Sequence, residues 1–502
     1  MILITSGAYI DSSLASEFGN IPPCMLPVQN KRLYEHQIEL IRNQFGYDEK
    51  IFISLPNSYH IDEYDVNRIN ELNVEIIRVE ENLSLGESIA YIICNIEDGI
   101  LYILHGDTLF SELSKELDVC SVGKPYAFYN WTYTDFNYDK VHTGFFSFSS
   151  SDALLKNLVK HNYNFNIISS ICKLKEIELE GWLDFSLTST YYRSISKFTT
   201  QRAFNDLSIT EYSVTKSSKD IMKMQAESNW LTSIPVELKK YVPQVYEKKH
   251  DSYSIEYLYN SSLANIFVFG NLDVCSLKDI LDKCFEYINL EKQYKPDTRI
   301  NTNYLYTEKT ISRLSYLDLD EKYTINGENV GSIRDIITDL DTYIDKDCYK
   351  YNSIMHGDLC FSNILYDSRS NHIKLIDPRG VDNKHNISIY GDWRYDVAKL
   401  AHSIIGKYDF IIANRFKYKE NSSTDIEFEI EYDNLYEVEE LDKYFDKFFD
   451  FKMYYPMMIN LFLSMIPLHS DNNLRQKAML ANALKLYLTF KNRLKLENDK
   501  LS

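Results

Sequence analysis

What this sequence lacks narrows it first. Its 502 residues contain no run of roughly 18 uninterrupted apolar residues, the length a membrane helix needs. The nearest approach, Met457 to Leu468, is broken by Asn460, Ser464 and Pro467 and reads as a buried helix. No C-x-x-C pair occurs among the eight cysteines, which disfavours a zinc site and a disulfide framework alike. Basic residues are in deficit: 54 Lys and Arg against 73 Asp and Glu give a formal charge of −19. A nucleic-acid or anionic-membrane surface needs a dense basic patch to displace counterions, so neither partner is expected. No Gly-, Ser- or Pro-rich linker divides the chain. Met1-Ile2-Leu3-Ile4-Thr5 has neither a basic flank nor a small-residue cleavage site, which predicts a first buried strand in a cytoplasmic protein.

What is present is ordinary globular material, 44% hydrophobic and 25% charged, in a chain long enough for two or three cores. Through about the first 195 residues short apolar strands (Ile2-Leu-Ile, Ile51-Phe-Ile-Ser, Val74 to Val79, Leu101-Tyr-Ile-Leu) alternate with helical stretches such as Leu33 to Gln44. That alternation predicts a βαβ parallel sheet with its ligand site at the strands' carboxyl ends. After Ala203 a β-rich stretch, Leu207 to Lys216, precedes a helix from Asp220 to Leu231, and a largely helical remainder follows Ser261. The acidic segment from about 418 to 440, with its alternating Asp425-Ile-Glu-Phe-Glu-Ile-Glu-Tyr, reads as a solvated insertion holding a half-exposed strand.

The densest chemistry lies in the second half. Phosphoryl transfer from ATP needs a carboxylate for the acceptor hydroxyl, oxygen ligands for magnesium and a cation on the phosphates. His356-Gly357-Asp358 through Asn363 supplies a catalytic Asp358, with His356 beside it, and a metal ligand in Asn363. The strands Ile364-Leu-Tyr and Ile373-Lys-Leu-Ile then read as a hairpin that delivers a second metal ligand, Asp377. This pattern resembles the aminoglycoside phosphotransferase and choline kinase family. The resemblance implies that Lys216 is the phosphate-binding lysine and Glu227 its ion-pair partner. It further implies that Glu256 and Leu258 lie in the hinge that meets adenine through backbone groups. Gly391-Asp392-Trp-Arg-Tyr-Asp396 resembles that family's anchoring segment, giving Asp396 a structural role. One departure is that the expected nucleotide-covering hairpin, Phe204 to Glu211, contains no glycine. Arg379 is a candidate for touching substrate or for a surface role.

Residues 1 to about 195 resemble sugar-phosphate nucleotidylyltransferases on five segments in order. Leu26-Pro-Val-Gln-Asn-Lys31-Arg32-Leu-Tyr-Glu-His resembles L-P-V-x-x-K-P-L-x-E-H, and Leu85-Gly86-Glu87-Ser88 resembles the loop that contacts base and ribose. The strand Tyr102 to Leu104 running into Gly106-Asp107, and Gly181-Trp182-Leu-Asp184, resemble the two metal-bearing segments; His142-Thr-Gly144 resembles the strand whose glycine admits a sugar. The resemblance implies that Asp107 and Asp184 bind Mg²⁺. It assigns Gly7, Lys31, Gly86, Glu87, Ser88 and Gly144 to the NTP and sugar phosphate. The first loop departs from the pattern: Gly7 is kept, but the expected arginine and lysine are absent, leaving Lys31 or Arg32 as stand-ins.

The expected fold class is therefore an α/β, Rossmann-like mixed sheet of nucleotidyltransferase type over 1–197, joined to an α+β bilobal kinase-like domain with its N-lobe at 198–260 and C-lobe at 261–502. The expected function couples two steps: a small sugar, polyol or amino alcohol is phosphorylated with ATP, and the phosphate ester is joined to a second NTP, CTP favoured. The product would be an activated precursor for surface or capsule polysaccharide. The partners are then the alcohol and its phosphate ester, with no nucleic acid and no membrane insertion; a homo-oligomer is compatible with the sequence. Two alternatives are a kinase whose N-terminal domain only binds or regulates, and an N-terminal metal-dependent glycosyltransferase, although His105-Gly106-Asp107 has one of the two acids a D-x-D motif requires.

Overall fold

The first apolar run becomes the middle of a sheet because both of its faces are covered. The strands are β1 (Ile2–Thr5), β2 (Ile51–Pro56), β3 (Val74–Val79), β4 (Leu101–His105), β5 (Val119–Gly123), β6 (Val141–Phe148) and β7 (Lys175–Ile177), in the order β7-β5-β6-β4-β1-β2-β3. All four β1 residues are buried, as parallel strands flanked by helices require. β1 runs parallel to both β2 and β4, whereas β6 is antiparallel to β4 and β5, so the sheet is mixed. Leu3, Ile103, Phe146 and Ile89 belong to one buried cluster on this sheet. Each such side chain contributes roughly 1.5–3 kcal/mol by leaving water. The helices α1 (Leu33–Phe45) and α2 (Leu85–Cys94) follow β1 and β3 in the chain. The antiparallel β6 sets Thr143 and Gly144 beside the carboxyl end of β4.

The computed structural model describes residues 1–126, 139–197, 205–382, 385–432 and 435–501, and the chain divides into two units, Met1–Thr200 with Phe269–Asn271 and Gln201–Val268 with Leu272–Ser502. Phe204, the first residue of the expected glycine-free hairpin, and residue 198, the expected start of the N-lobe, lie outside the described residues.

The second unit opens with an antiparallel sheet of β8 (Asn205–Ile209), β9 (Ser213–Ser218), β10 (Val245–Lys248) and β11 (Ser252–Glu256), ordered β8-β9-β11-β10. Between β9 and β10 comes α3 (Ile221–Ser233), whose N-cap Asp220 accepts the Lys223 N–H at 3.1 Å. The larger helical part contains α4 (Thr307–Arg313), α5 (Trp393–Ile404), α6 (Phe451–Met465) and α7 (Asn473–Leu501). Met458, Ile459 and Phe462 of α6 are fully buried, as expected of the run around Met457.

Two further β layers complete this unit. The strands β12 (Lys322–Ile325) and β13 (Glu328–Ser332) share a sheet with β16 (Phe416–Ser422) and β17 (Asp425–Ile430); the hairpin β14 (Ile364–Asp367) and β15 (His372–Leu375) lies between them in sequence. The acidic segment expected as a solvated insertion is thus half of a four-stranded sheet. Its alternating stretch is the half-exposed strand expected: Ile426 and Phe428 are each 2% exposed on the packed face, while Glu427 and Glu429 face solvent. All eight cysteines are free. Among the described residues no helix is long and apolar enough to cross a membrane.

Candidate active sites

In the first unit, the carboxyl ends of β1 and β4 lie side by side, and the Gly106 N–H donates to the Thr5 carbonyl at 2.8 Å. The chain then turns so that Thr108 pairs antiparallel with Asp184. The Thr108 hydroxyl donates to the Thr143 carbonyl at 2.9 Å, tying this turn to β6. These contacts bring Asp107, Asp184 and Gly144 to one cavity of about 180 Å³, with His105, His142 and Trp182 also in its wall. Asp184 accepts the Ser186 hydroxyl at 2.7 Å. Burial raises the pKa of both carboxyls, and the charge on Asp107 raises that of Asp184 further. Among the described residues, no lysine or arginine lines the cavity. Burial also pushes His105 and His142 down to about 4, so both imidazoles are neutral. Their Nε2 atoms are buried without a hydrogen-bond partner, a feature that pairing period and motif did not reveal.

Other expected nucleotide contacts of this unit have structural duties. Glu87 lies in the first turn of α2, accepting the Ser84 N–H at 2.7 Å while Ser84 accepts the Glu87 N–H at 3.3 Å. This is a reciprocal capping box, and it explains the Ser-Leu-Gly-Glu spacing without a nucleotide. Gly86 is glycine because an added Cβ would stand 1.9 Å from the Tyr163 carbonyl oxygen, and Gly7 because one would stand 2.4 Å from a Val79 methyl and 3.3 Å from Ser88. Lys31 is half-exposed, 3.9 Å from Glu39, and does not line the cavity. Arg32 cannot stand in for a missing phosphate cation. It is buried, 3.1 Å from Asp65 and 3.3 Å from Asp62, and donates to the Met25 carbonyl at 2.8 Å.

In the second unit, β9 carries Lys216 and α3 carries Glu227, as expected. The Lys216 ammonium lies 2.7 Å from Glu227 and 3.0 Å from Asp377. Glu227 also accepts the Tyr253 hydroxyl at 2.8 Å. Burial alone would lower the Lys216 pKa; the charges of Asp377 and Glu227 reverse this and raise it, so the lysine is charged. Asp377 itself has φ of +56°, and the segment after it closes onto α3. Gly380 has φ of +66°, and a Cβ there would be 2.3 Å from the Ala226 carbonyl oxygen.

The loop from His356 to Asn363 is clamped at its start. Asp396, fully buried on α5, accepts the N–H of His356 at 2.6 Å and of Gly357 at 2.7 Å, which gives it the anchoring role expected. Asn363 donates to both the backbone oxygen and Oδ2 of Asp358 at 2.9 Å, directing its amide nitrogen inward. Asp358 is 40% exposed and 2.8 Å from the Lys399 ammonium, a partner on α5 that motif spacing did not reveal. His356 needs correcting. It is fully buried, edge-on to Trp230 at 5.3 Å, its Nδ1 accepts the Asp358 N–H at 3.3 Å, and burial pushes its pKa down to about 4. It is a neutral prop for the loop, enclosed too fully to reach a substrate.

In the segment expected as the hinge, the Glu256 N–H donates to Gln244 and the Tyr257 N–H to Tyr212, while the Glu256 carboxylate turns back to the Gln244 N–H at 3.3 Å. Leu258 lines a cavity of about 310 Å³ together with Glu256, Tyr257 and Lys374.

No protein-family model matches this sequence, and no curated protein matches it. Solved structures do. The nucleoside-diphosphate-sugar pyrophosphorylase from Vibrio cholerae RC9 is 13% identical over 39% of this chain and 99% of its own, with a TM-score of 0.31. The inositol-1-phosphate CTP transferase from T. maritima is 15% identical over 40% of this chain and 97% of its own, with a TM-score of 0.30. A Ralstonia eutropha JMP134 chain assigned as an aminoglycoside phosphotransferase is 10% identical over 60% of this chain and 97% of its own, with a TM-score of 0.34. At such identities and scores, the chemistry of each unit has to be read from its own residues.

Proposed function

We propose that the second unit transfers the γ-phosphoryl group of ATP to a small alcohol of the sugar, polyol or amino alcohol kind, and that the first joins the resulting phosphate ester to a second NTP. The observation that carries the kinase half is the chain Glu227, Lys216, Asp377 beside Asp358 and Asn363. Lys216, steadied by Glu227, is placed to hold nucleotide phosphates. Asp358 accepts a hydrogen bond from the acceptor hydroxyl and takes its proton as the hydroxyl oxygen bonds to the γ-phosphorus and the bond to the ADP oxygen breaks. Lys399, 2.8 Å away, aims the Asp358 carboxylate.

The donor sets fit magnesium. Asn363 spends its amide N–H groups on Asp358, leaving its carbonyl oxygen, and Asp377 adds a carboxylate. Asp107 and Asp184 are two buried acids in a cavity that no lysine or arginine lines among the described residues. Among the described residues no three His, Cys, Asp or Glu side chains gather to hold a metal alone, which suits an ion that takes its other ligands from phosphate and water. When bound, it would screen the phosphate charge that an incoming oxygen meets.

CTP is the favoured second nucleotide, and a surface-polysaccharide precursor the favoured product, made in the cytoplasm where both NTPs are supplied. A second reading, in which the first unit only binds or regulates, draws on the cavity's lack of lysine and arginine among the described residues. The test is a pair of assays on the full chain. ADP release from ATP, Mg²⁺ and an alcohol panel should vanish in Asp358→Asn. Pyrophosphate release from the phosphate esters and each NTP should vanish in Asp107→Asn and Asp184→Asn. ADP release untouched by Asp358→Asn sinks the kinase reading, and pyrophosphate from no NTP leaves the regulatory reading standing.

A further inference from the structure

In a chain of net charge −19, the surroundings of Asp358 are cationic. Lys399 is 2.8 Å from its carboxylate. Arg379 lies directly over the Asp358 loop: its N–H donates to the His356 carbonyl at 2.8 Å, and a Cβ on Gly357 would stand 2.6 Å from the Arg379 Cβ. The Arg379 guanidinium is 5.9 Å from the ring centres of both Tyr304 and Tyr395. The hydroxyl of the buried Tyr395 in turn accepts from the Lys309 ammonium at 2.6 Å. One turn further along α4, Arg313 donates to the Ser464 carbonyl at 3.1 Å and feels the charge of Asp358.

Of these cations only Lys399 has a carboxylate partner. Lys309, Arg313 and Arg379 make no ion pair among the described residues. The imbalance is large enough to act on their neighbours. Burial alone would raise the Tyr395 phenol, yet Lys309, Lys399 and Arg379 together bring it down to about 8. Burial and the repulsion of Arg379 and Arg313 outweigh Tyr395 and push Lys309 down to about 8 as well. Half-buried cations with no carboxylate in ion-pair contact among the described residues, Asp358 acting on Arg313 only from further off, form an anion site, since burying them unpaired is costly unless a ligand supplies the charge. Lys216 already serves the nucleotide side through Asp377, so the group these residues face is borne by the acceptor.

We propose that Lys309, Arg313 and Arg379, with Tyr395, form an anion-binding subsite for the acceptor, so that the alcohol phosphorylated at Asp358 carries a carboxylate or a phosphate of its own. This rests on the kinase reading of the second unit, and it narrows the sugar, polyol or amino alcohol expected from sequence to an acceptor that bears negative charge. An ammonium-bearing alcohol would meet three cations that have no carboxylate in ion-pair contact among the described residues. An anionic one completes the charge balance and is oriented with its hydroxyl toward Asp358.

The test is ADP release by the full chain with Mg²⁺ and ATP against three sets of acceptors: hydroxy and sugar acids, polyol phosphates, and neutral polyols with amino alcohols. The first two sets separate a carboxylate from a phosphate as the recognised group. The expected result is turnover confined to one or both anionic sets. Arg379→Ala and Lys309→Met should raise KM for the anionic acceptor at least tenfold and leave KM for ATP within twofold, with Arg379→Lys recovering part of the loss. Comparable turnover of neutral or amino alcohols overturns the inference alone. So does a change confined to KM for ATP, which would place these cations on the nucleotide. Absence of Asp358-dependent ADP release from every acceptor overturns the kinase reading and the inference with it.

Discussion

Lys399 holds Oδ1 of Asp358 at 2.8 Å from α5, the helix that also presents Asp396 to the backbone of His356 and Gly357. One helix thus aims the carboxylate and fixes the loop that carries it. Lys399→Met should lower kcat by roughly 100-fold, at the low end of what general-base chemistry contributes. KM for ATP should move little. Asp358 is 40% exposed, so the pair adds little stability, and the thermal midpoint should stay within a few degrees of the parent. Lys399→Arg should restore part of kcat, an outcome that mere loss of packing would not give.

The Lys216 ammonium bridges Glu227 and Asp377, and Tyr253 adds a hydrogen bond to Glu227. Removing Glu227 leaves Lys216 paired with Asp377 alone, in a position set by one partner. Glu227→Gln should therefore cut kcat/KM for ATP on the order of tenfold to a hundredfold, the effect of misplacing one charge on a transferring phosphate. Tyr253→Phe, which keeps both ion pairs, should cost under tenfold. Steady-state kinetics in ATP separate the two.

How much of this could be read from sequence depends on whether a residue acts through its neighbours in the chain. Asp358 and Asn363 share one loop, and β1 and β4 announce themselves by apolar runs ending at Gly7 and Asp107, so spacing alone locates them. Lys216 and Glu227 are 11 residues apart, and a strand followed by a helix places them together. Lys399 and the cations of α4 meet Asp358 only through tertiary packing, and no local pattern marks them. Other groups have a local duty that the motif reading does not need. The Ser84 to Glu87 spacing is a helix cap, Gly86 makes room for the Tyr163 backbone, and the buried His356 supports its loop.

Without metal, Asp107 and Asp184 should destabilise the first unit as pH rises. Both carboxyls have folded-state pKa values above the ordinary value of 3.8, so the folded state binds protons more tightly than the unfolded state. Stability from these groups is present below that ordinary value and is lost as pH rises through the raised ones. In EDTA, the melting midpoint should fall between pH 5 and pH 8 more steeply in the parent than in Asp184→Asn. Mg²⁺ should restore the parent midpoint at pH 8, on the order of 2–4 °C for each kcal/mol recovered. Asp184→Asn should gain nothing from Mg²⁺ at this site.

Tyr395 should report the electrostatics of the second unit directly. Its phenol, brought to about 8 against the effect of burial by Lys309, Lys399 and Arg379, faces Tyr304 and Tyr306 but no carboxylate ion-paired to Lys309 or Arg379. Buried tyrosines such as Tyr253 and Tyr306 are raised instead. A spectrophotometric titration of phenolate should therefore show an early step near pH 8 worth one tyrosine. Tyr395→Phe should remove it, and Lys309→Met should move it upward, because burial then acts with less opposition.

Two glycines in the left-handed region separate strain from fit. Gly327 has φ of +82° in the turn between β12 and β13, with no atom within 4 Å of a Cβ. Gly327→Ala should cost only the left-handed penalty, roughly 1–2 kcal/mol, and leave kcat unchanged. Gly380 has φ of +66° and sits against the Ala226 carbonyl, where a Cβ would come within 2.3 Å of backbone oxygen. Neither partner is a flexible side chain, so the Asp377 to Gly380 segment has to back away from α3. That motion carries Asp377 away from Lys216. Gly380→Ala should thus lower the thermal midpoint by more than Gly327→Ala and reduce kcat/KM for ATP as well. Equal losses of stability with equal kinetics in the two variants would mean that the close approach of this segment to α3 does not position Asp377.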